Sequence, residues 1–255
     1  MRIATWNING LKARKEYLAL WLNERQPDLV GLQELKMQDN DFPHEFFENL
    51  GYQALVYGQK SWNGVAILTK IDGTLKTKGL IGQENFGSRL ITAQFDNIEF
   101  TTCYCPNGKD TDHSDYQAKL NWFDSLISSF KANQEPNRIL CGDFNIVVEA
   151  LDSWRGDKAT GDIFHTNEER MRMNELMDTG LIDLFRVQNP NDQSFTWWDY
   201  RGGAFHRKQG LRIDLILGTE TILERMHNHV IDRDYRKKQG ELTASDHAPV
   251  FIDID

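Results

Sequence analysis

The chain has few cysteines and no long apolar run. Only three of its 255 residues are cysteines, Cys103, Cys105 and Cys141, and none forms a CxxC pair. The first two are too close along an apparent strand to form an unstrained disulfide, so we predict no disulfide framework, which is typical of a reducing compartment. No segment approaches the roughly 20 apolar residues of a membrane helix, and "MRIATWNING" lacks the apolar stretch of a signal peptide. We therefore expect a soluble, cytoplasmic protein without a membrane partner, and a monomer.

Positive charge is also scarce, because 38 acidic residues outnumber 29 basic ones and the net charge is −9. This balance argues against a protein whose whole surface is covered by nucleic acid, although screening permits a local basic face. Basic residues gather late in the chain, at Arg201, Arg207, Lys208 and Arg212 and again at Arg233, Arg236, Lys237 and Lys238. We interpret the second group as a solvated surface.

Several signatures of common hydrolases are missing. The sequence contains no GxSxG elbow and no Walker motif, which argues against serine hydrolases and P-loop enzymes. "HEFFE" at His44 lacks the second histidine of a zinc protease helix. The pair His227 and His229 is interpreted as surface residues.

Short apolar, β-branched runs predict strands, and amphipathic stripes predict helices between some of them. The predicted strands are residues 3–6, 29–32, 64–68, 90–95, 100–104, 138–141, 211–217 and 250–254. The helical stripes are Tyr17, Leu18, Trp21 and Leu22 before Pro27; Tyr116, Leu120, Phe123, Ile127 and Phe130; and residues 168–177 before Gly180. Asp96-Asn97 predicts a hairpin turn between two strands.

The layout predicts an α/β protein. No Gly-, Ser- or Pro-rich linker, low-complexity tract or repeat interrupts the chain, so we predict one domain spanning residues 1–255. Strands this numerous and short suit two mixed sheets packed face to face, with helices outside.

Polar residues recur where the predicted strands end. They are Asn7, Glu34, Tyr104, Asn107, Asp143, Asn145, Asp246 and His247. Asp214 is different because it lies inside "LRIDLIL", where a buried charge needs a histidine or a cation as its partner. If the strands are neighbours, these side chains converge on one cleft. Carboxylate and amide oxygens without thiolates suit Mg²⁺ or Mn²⁺ rather than zinc.

The ordered set of these motifs resembles the exonuclease III family of DNA-repair nucleases, within the endonuclease/exonuclease/phosphatase superfamily. The segments are "TWNING", "LQELK", "YGQKSWNGVAIL", "YCPNG", "CGDFNI", "FTWWDYRGGAF", "GLRIDLIL" and "SDHAPV", from Asn7 to Val250. "GDFN" or "SDH" alone would be weak, but the ordered set is specific. "TWWDYR" followed by "LRID" separates the chain from the superfamily's lipid and inositol phosphatases.

The resemblance implies a four-layer α/β sandwich of the deoxyribonuclease I type, two packed mixed sheets flanked by helices. It implies double-stranded DNA with abasic sites or 3′ ends as the partner and Mg²⁺ or Mn²⁺ as the cofactor. By the same resemblance, Asn7, Glu34 and Asp246 surround the metal, and Asp143 beside Asn145 acts on the scissile phosphate. Asp214 would hold His247, Tyr104 and Asn107 would position phosphate oxygens, Trp197, Leu211 and Ile213 would line a small apolar pocket, and Arg201, Arg207 and Lys208 would contact DNA phosphates.

Elementary chemistry agrees with these roles. Phosphodiester hydrolysis needs the phosphate charge offset and a water activated, for which a cation, a protonated His247 and the Asp143 carboxylate are suited. A carboxylate at Asp214 would raise the pKa of the imidazole.

Some alternatives stay open at this point. A metal-dependent phosphatase of a lipid or small-molecule headgroup, and a non-catalytic relative that binds DNA or protein, are the rival hypotheses. Residues 152–170 receive no catalytic role, and His165 is interpreted as a loop histidine without function, with a place in the lining of the substrate groove as the alternative. Strand alternation predicts that Trp197 faces outward and Trp198 inward. The sequence does not rank abasic-site incision against 3′-end processing.

Overall fold

The computed structural model describes all 255 residues and contains twelve strands and six α-helices. The strands are β1 (Arg2–Asn7), β2 (Leu29–Gln33), β3 (Gln53–Tyr57), β4 (Val65–Thr69), β5 (Thr74–Lys78), β6 (Leu90–Phe95), β7 (Ile98–Tyr104), β8 (Arg138–Asp143), β9 (Ile182–Asp183), β10 (Asp214–Gly218), β11 (Met226–Ile231) and β12 (Val250–Ile254). The α-helices are α1 (Leu11–Arg25), α2 (His44–Glu48), α3 (Ser114–Ala132), α4 (Asn167–Met177), α5 (Leu184–Gln188) and α6 (Glu220–Leu223). None of these helices combines the length and the apolar character needed to cross a membrane.

The strands form two mixed sheets of six. The first has the order β11-β12-β1-β2-β4-β3 and the second the order β5-β6-β7-β8-β10-β9. Each sheet has one parallel pair, β1 with β2 and β7 with β8, among antiparallel neighbours. Apolar side chains of both sheets, such as Ile3 and Ile67 from the first and Phe100 and Ile139 from the second, share one buried core.

Two further cores lie on the outer faces of the sheets. Trp21 and Leu22 of α1 pack against the first sheet, and Phe123 and Ile127 of α3 pack against the second. The result is the predicted four-layer α/β sandwich, which is confirmed. The apolar stripes allowed the outer helical layers to be predicted, because an amphipathic helix buries one face against a sheet and leaves the other face in solvent.

Most predicted elements are present with small shifts at their ends. The helical stripes lie in α1, α3 and α4, and Asp96, in the left-handed region with φ 46°, makes the predicted turn between β6 and β7. All three cysteines are free, as predicted, and they are buried.

Four strands were missed: β3, β5, β9 and β11. β5 is exposed along its whole length, and β11 has the polar sequence MHNHVI. All four lie at the edge of a sheet, and β9 is also very short. They therefore do not carry the apolar alternation that marks a half-buried strand.

The strand predicted at 211–217 was wrong in its first half. β10 begins at Asp214, so Asp214 opens the strand and does not lie in its middle. The amides of Ile213 and Asp214 both donate to Thr196 Oγ1, at 3.1 Å each. The side-chain hydroxyl replaces a ladder partner there, and regular pairing starts only after it.

Candidate active site

Both sheets present polar side chains at the same end of the sandwich. Asn7 is the last residue of β1, and Glu34 directly follows β2, its parallel neighbour. In the second sheet, Tyr104 pairs with Asp143 across β7 and β8, and Asp143 pairs with Asp214 across β8 and β10. Two rows of polar side chains therefore face each other where the strands end.

Asn7 connects the two rows directly. Its Nδ2 donates to Glu34 Oε1 and to Asp143 Oδ2, both at 2.9 Å, while its Oδ1 accepts the amide of Asn9. One potential ligand atom each from Glu34, Asp143 and His247 lies within 4.8 Å of the others. The structure thus brings together residues that are more than 200 positions apart in the sequence.

The backbone at this end adopts conformations that most residues avoid. Asn9, Glu34, Lys36 and Asn145 have φ values between 47° and 56°, in the left-handed region. Such conformations cost about 1–3 kcal/mol each and cluster at functional sites. Gly142 is required by close approach, because a Cβ there would lie 1.9 Å from the carbonyl oxygen of Cys103. That contact lets β7 and β8 lie close enough to place Tyr104 beside Asp143.

His247 lies between two carboxylates. Its Nδ1 is 2.8 Å from Asp214 Oδ2, and its Nε2 is 3.8 Å from Asp143 Oδ2. Burial by itself would lower the pKa of His247, but the two carboxylates outweigh it and raise the pKa well above its usual range. Asp214 is thus the buried partner that the sequence required, and the imidazole is held in its charged form.

Asp143 is the buried carboxylate at the centre of the site. Burial raises its pKa above that of an ordinary aspartate, and the carboxylates of Asp214 and Glu34 add to the effect, whereas His247 lowers it. A carboxylate with a raised pKa can exchange a proton near neutral pH, which general acid–base catalysis requires.

Tyr104 stays a phenol beside these carboxylates. Burial raises its pKa, and the negative charges of Glu34 and Asp143 raise it further. The guanidinium of Arg89 lies 4.9 Å from the ring centroid and donates to the Tyr104 carbonyl at 3.1 Å. Arg89 was missed in the sequence, since a single arginine before a strand carries no local signal.

Asp246 lies outside the Glu34, Asp143 and His247 group. Its Oδ1 accepts from Asn9 Nδ2 at 2.8 Å and its Oδ2 from Trp197 Nε1 at 3.0 Å. Burial would raise the pKa of Asp246, but His247 and these hydrogen bonds lower it overall. Asn9 and Lys36 link it to Glu34, because Lys36 Nζ donates to Asn9 Oδ1 and lies 2.8 Å from Glu34 Oε2.

The predicted pocket residues lie together but are well covered. Leu211 and Ile213 are 6% and 2% exposed and pack with Val147, Phe164 and Trp197. Trp197 is half-buried and Trp198 is buried, but they lie in no strand, because Trp197 forms only isolated bridges with Leu211 and His247. Phe164 was missed because residues 152–170 received no role.

Asn107 and Arg201 are exposed and do not contact the cluster. Asn107 Oδ1 accepts the amide of Lys109, and Arg201 forms an ion pair with Asp199. Both side chains lie on the exposed surface of the protein.

A basic groove next to the site was also missed. Its volume is about 520 Å³. Its charged lining consists of Lys12, Lys15, Lys36, Lys60 and the single acidic residue Asp41. The lysines are scattered through the sequence, so only the folded chain gathers them beside Glu34.

Two interpretations of single residues, His229 and Arg236, need correction. His229 is buried, stacks edge-on against Phe185 and has no hydrogen-bond partner on either ring nitrogen. Arg236 is buried as well, and donates to the carbonyls of Asp246 and Trp198 at 3.0 and 3.1 Å. His165 lies in a loop, as predicted, and is buried there, with its ring nitrogens 3.0 Å from Ser153 Oγ and 2.9 Å from the Ile163 carbonyl. These side chains are buried by tertiary packing, and no local sequence pattern predicts that burial.

The donor set fits a hard divalent cation. The carboxylates of Glu34 and Asp143 lie in hydrogen-bond contact with one amide, and no thiolate belongs to the group. Mg²⁺ and Mn²⁺ prefer such oxygen ligands.

Comparisons with known proteins cover the whole chain. The sequence profile of the endonuclease/exonuclease/phosphatase family matches residues 4–247. Exodeoxyribonuclease III of Haemophilus influenzae is 36% identical, over 100% of both chains. A variant of the 3′ phosphatase NExo from Neisseria, solved with a product DNA hairpin, has a TM-score of 0.95 at 32% identity, covering 100% of this chain and 99% of that one. An AP endonuclease from Archaeoglobus fulgidus has a TM-score of 0.95 at 30% identity, with the same coverage.

The matched region contains every residue of the cluster, and its relatives share both the length and the fold. The chain therefore belongs to the endonuclease/exonuclease/phosphatase family, in its exonuclease III group of DNA-repair nucleases, which hydrolyse phosphodiester bonds.

Proposed function

We propose that this protein hydrolyses phosphate esters at the 3′ ends of duplex DNA, as a 3′–5′ exonuclease and 3′ phosphatase, and incises DNA 5′ to abasic sites. The observation that carries the proposal is the contact of His247 with Asp214 and its approach to Asp143, at the end of the sandwich where Asn7 and Glu34 also meet. This arrangement supplies a cation, a proton-exchanging carboxylate and hydrogen-bond donors to one phosphate.

The residues divide the chemistry among themselves. Asp143 takes up or releases the proton at the reacting phosphate, and protonated His247 offsets the charge that builds up on the phosphate oxygens. Asp214 keeps the imidazole oriented and charged, and Tyr104 offers a phenolic hydroxyl as a donor. Asn145 fixes the Asp143 carboxylate by donating its amide to Oδ1 at 3.0 Å.

A divalent cation would be held at Glu34, with Asn7 and Asp246 as the further proposed ligands. When bound, Mg²⁺ or Mn²⁺ supplies Lewis-acid stabilisation of the phosphate. Asn7 presents its Nδ2 to the carboxylates in the structure, so its role as an oxygen ligand requires the amide to turn over.

The lysine groove supports a polyanionic substrate. Its charged lining is four lysines and one aspartate, although the whole chain carries a net charge of −9. Lys36 joins the groove to the site through its ion pair with Glu34 at 2.8 Å. A DNA strand that places one phosphate at His247 would continue along this groove, whereas a small headgroup would leave it unused.

Within this function, the geometry favours 3′-end processing over abasic-site incision. A flipped-out sugar needs an open pocket, and Leu211 and Ile213 are nearly closed over by Val147, Phe164 and Trp197. A 3′-terminal phosphate can reach the cluster without entering that pocket. The relatives do not rank the two activities, because a 3′ phosphatase and an AP endonuclease both match this chain with a TM-score of 0.95. Abasic-site incision is the second candidate because Trp197 is only half-buried.

A substrate panel tests the proposal. We expect hydrolysis of a 3′-phosphate nick and of a recessed 3′ end in Mg²⁺, with slower incision of an abasic duplex and least activity on single strands. Product analysis on sequencing gels gives the rates. Activity on an inositol or lipid phosphate, with none on any DNA, would replace the proposal by the headgroup phosphatase.

Trp197→Ala provides the internal comparison for the abasic substrate. Truncation opens the pocket, so abasic incision should rise relative to removal of the 3′ phosphate, with folding checked by circular dichroism. An unchanged ratio in a folded variant would remove Trp197 from substrate selection.

Salt dependence tests the groove. Lys12→Gln combined with Lys60→Gln should weaken duplex binding and lower the slope of log K against log salt by about 1.8, since each lysine that meets a phosphate contributes about 0.9. Lys70→Gln with Lys131→Gln removes the same charge from exposed positions elsewhere and should leave the slope unchanged. Equal slopes for the two double variants would show that the groove does not hold DNA.

A further inference from the structure

Lys119 of α3 is a fully buried lysine in the middle of the protein, with a relative exposure of 0%. Lysines are almost never fully buried unless they are paired, because removing an ammonium from water is costly. Burial lowers the pKa of Lys119, and the nearby Glu169 carboxylate opposes that effect. The contacts of the buried Lys119 ammonium therefore need a structural explanation.

The ammonium of Lys119 joins two loops of the site. Its Nζ donates to the carbonyl of Asn145 at 2.8 Å and to that of Asn107 at 3.3 Å. The first loop follows β8 and the second follows β7. Both contacts are made to backbone oxygens, so they fix the path of the chain whatever the side chains do.

The contact with Asn145 leads directly to Asp143. The Asn145 amide donates to Asp143 Oδ1 at 3.0 Å, and its Nδ2 donates to the Cys105 carbonyl at 3.0 Å. Asn145 has a φ of 51°, which an asparagine adopts only at some cost. Lys119 therefore stabilises the strained residue that orients the central carboxylate.

Glu169, the counter-ion of Lys119, connects a third segment of the chain to this ammonium. Glu169 of α4 is fully buried, pairs with Lys119 and accepts the amide and the hydroxyl of Thr166 at 3.0 and 3.1 Å. The Lys119 Nζ also lies 4.9 Å from the ring centroid of Phe164. Residues 152–170, which had no assigned role, are thus anchored to the same ammonium.

We infer that Lys119, with Glu169 as its counter-ion, is a positioning residue that holds Asn145 and so aims the Asp143 carboxylate at the phosphate. The inference rests on the proposed function for its effect on turnover. A pair of buried charges is often no more stabilising than an apolar pair of similar volume. We therefore assign the benefit of this pair to the positioning of the Asp143 carboxylate and not to the stability of the fold.

The test uses the double variant Lys119→Met with Glu169→Gln in the full-length protein. It removes both charges together, so neither is left unpaired, and glutamine retains the hydrogen bond to the Thr166 amide. We expect a folded protein in which kcat on a 3′-phosphate duplex falls about 10–100-fold while KM changes by less than about threefold, since small misplacements of reacting groups cost that much.

The matched control is Lys76→Met with Glu99→Gln. This ion pair also joins a lysine to a buried glutamate, at 2.6 Å, but at the end of β7 opposite Tyr104. Its kcat should equal that of the wild type. If both double variants keep full kcat, or if both lose it equally with their stability, the inference is overturned.

Hydrogen exchange of the Asn145 amide gives a readout that needs no substrate. Exchange should be faster in the Lys119 and Glu169 double variant and unchanged in the control. Faster exchange in a protein whose wild type cleaves no DNA would retain the positioning role and overturn the proposed function. Unchanged exchange, together with normal kcat in an active enzyme, would retain the function and overturn the inference.

Discussion

Asp143→Asn and His247→Ala are each expected to lower kcat by about 10²–10⁴-fold while the protein stays folded. Asp143 loses the ability to exchange a proton, and removal of His247 leaves the phosphate charge without its buried cation. These groups act on the transition state, so kcat should fall more than KM rises. Steady-state rates on a 3′-phosphate duplex, with thermal unfolding recorded in parallel, measure both effects.

His229→Leu is the matched control for the histidine. His229 is also buried, but it contacts Phe185 and not the cluster, and its ring nitrogens have no partners to lose. Its kcat should stay near that of the wild type. Near-normal turnover in both Asp143→Asn and His247→Ala would refute the assigned chemistry.

Removal of divalent cations should abolish activity, and Mg²⁺ or Mn²⁺ should restore it. The reason is the pair of carboxylates at Glu34 and Asp143, whose charges together with that of the phosphate need an offset that Lys36 and His247 supply only in part. Dialysis against chelator followed by metal titration measures the requirement. Isothermal titration of the protein alone with Mn²⁺ measures binding without turnover.

Glu34→Gln should raise the metal concentration needed for half-maximal rate by at least about tenfold, because a charged ligand is replaced by a neutral one. Asp246→Asn tests the second proposed ligand in the same titration. Full activity in chelator, with no divalent cation restored, would exclude the metal site. If the metal concentration for half-maximal rate rises for Asp246→Asn but not for Glu34→Gln, Asp246 and not Glu34 is the ligand.

The sequence by itself determined the layers of the fold and the identity of the central residues. Apolar runs and helical stripes are local patterns, and their alternation along the chain is enough to predict two sheets with helices outside. Asp214 was recognisable because a charge within an apolar run must find a partner when it is buried. The roles of Asp143 and His247 came from the resemblance of the ordered motifs to the exonuclease III family. The edge strand β5 escaped notice, since an exposed strand needs no such pattern.

Only the tertiary structure decided which polar groups meet. Asn7 reaches Asp143 across the two sheets, and Lys119 reaches Asn145 from a helix, over separations that no local pattern encodes. Arg236 was predicted to be solvated, yet it holds the carbonyl of Asp246 in the interior. The burial of a charged side chain depends on partners contributed by distant segments, and those partners are defined only when the sheets and helices have packed.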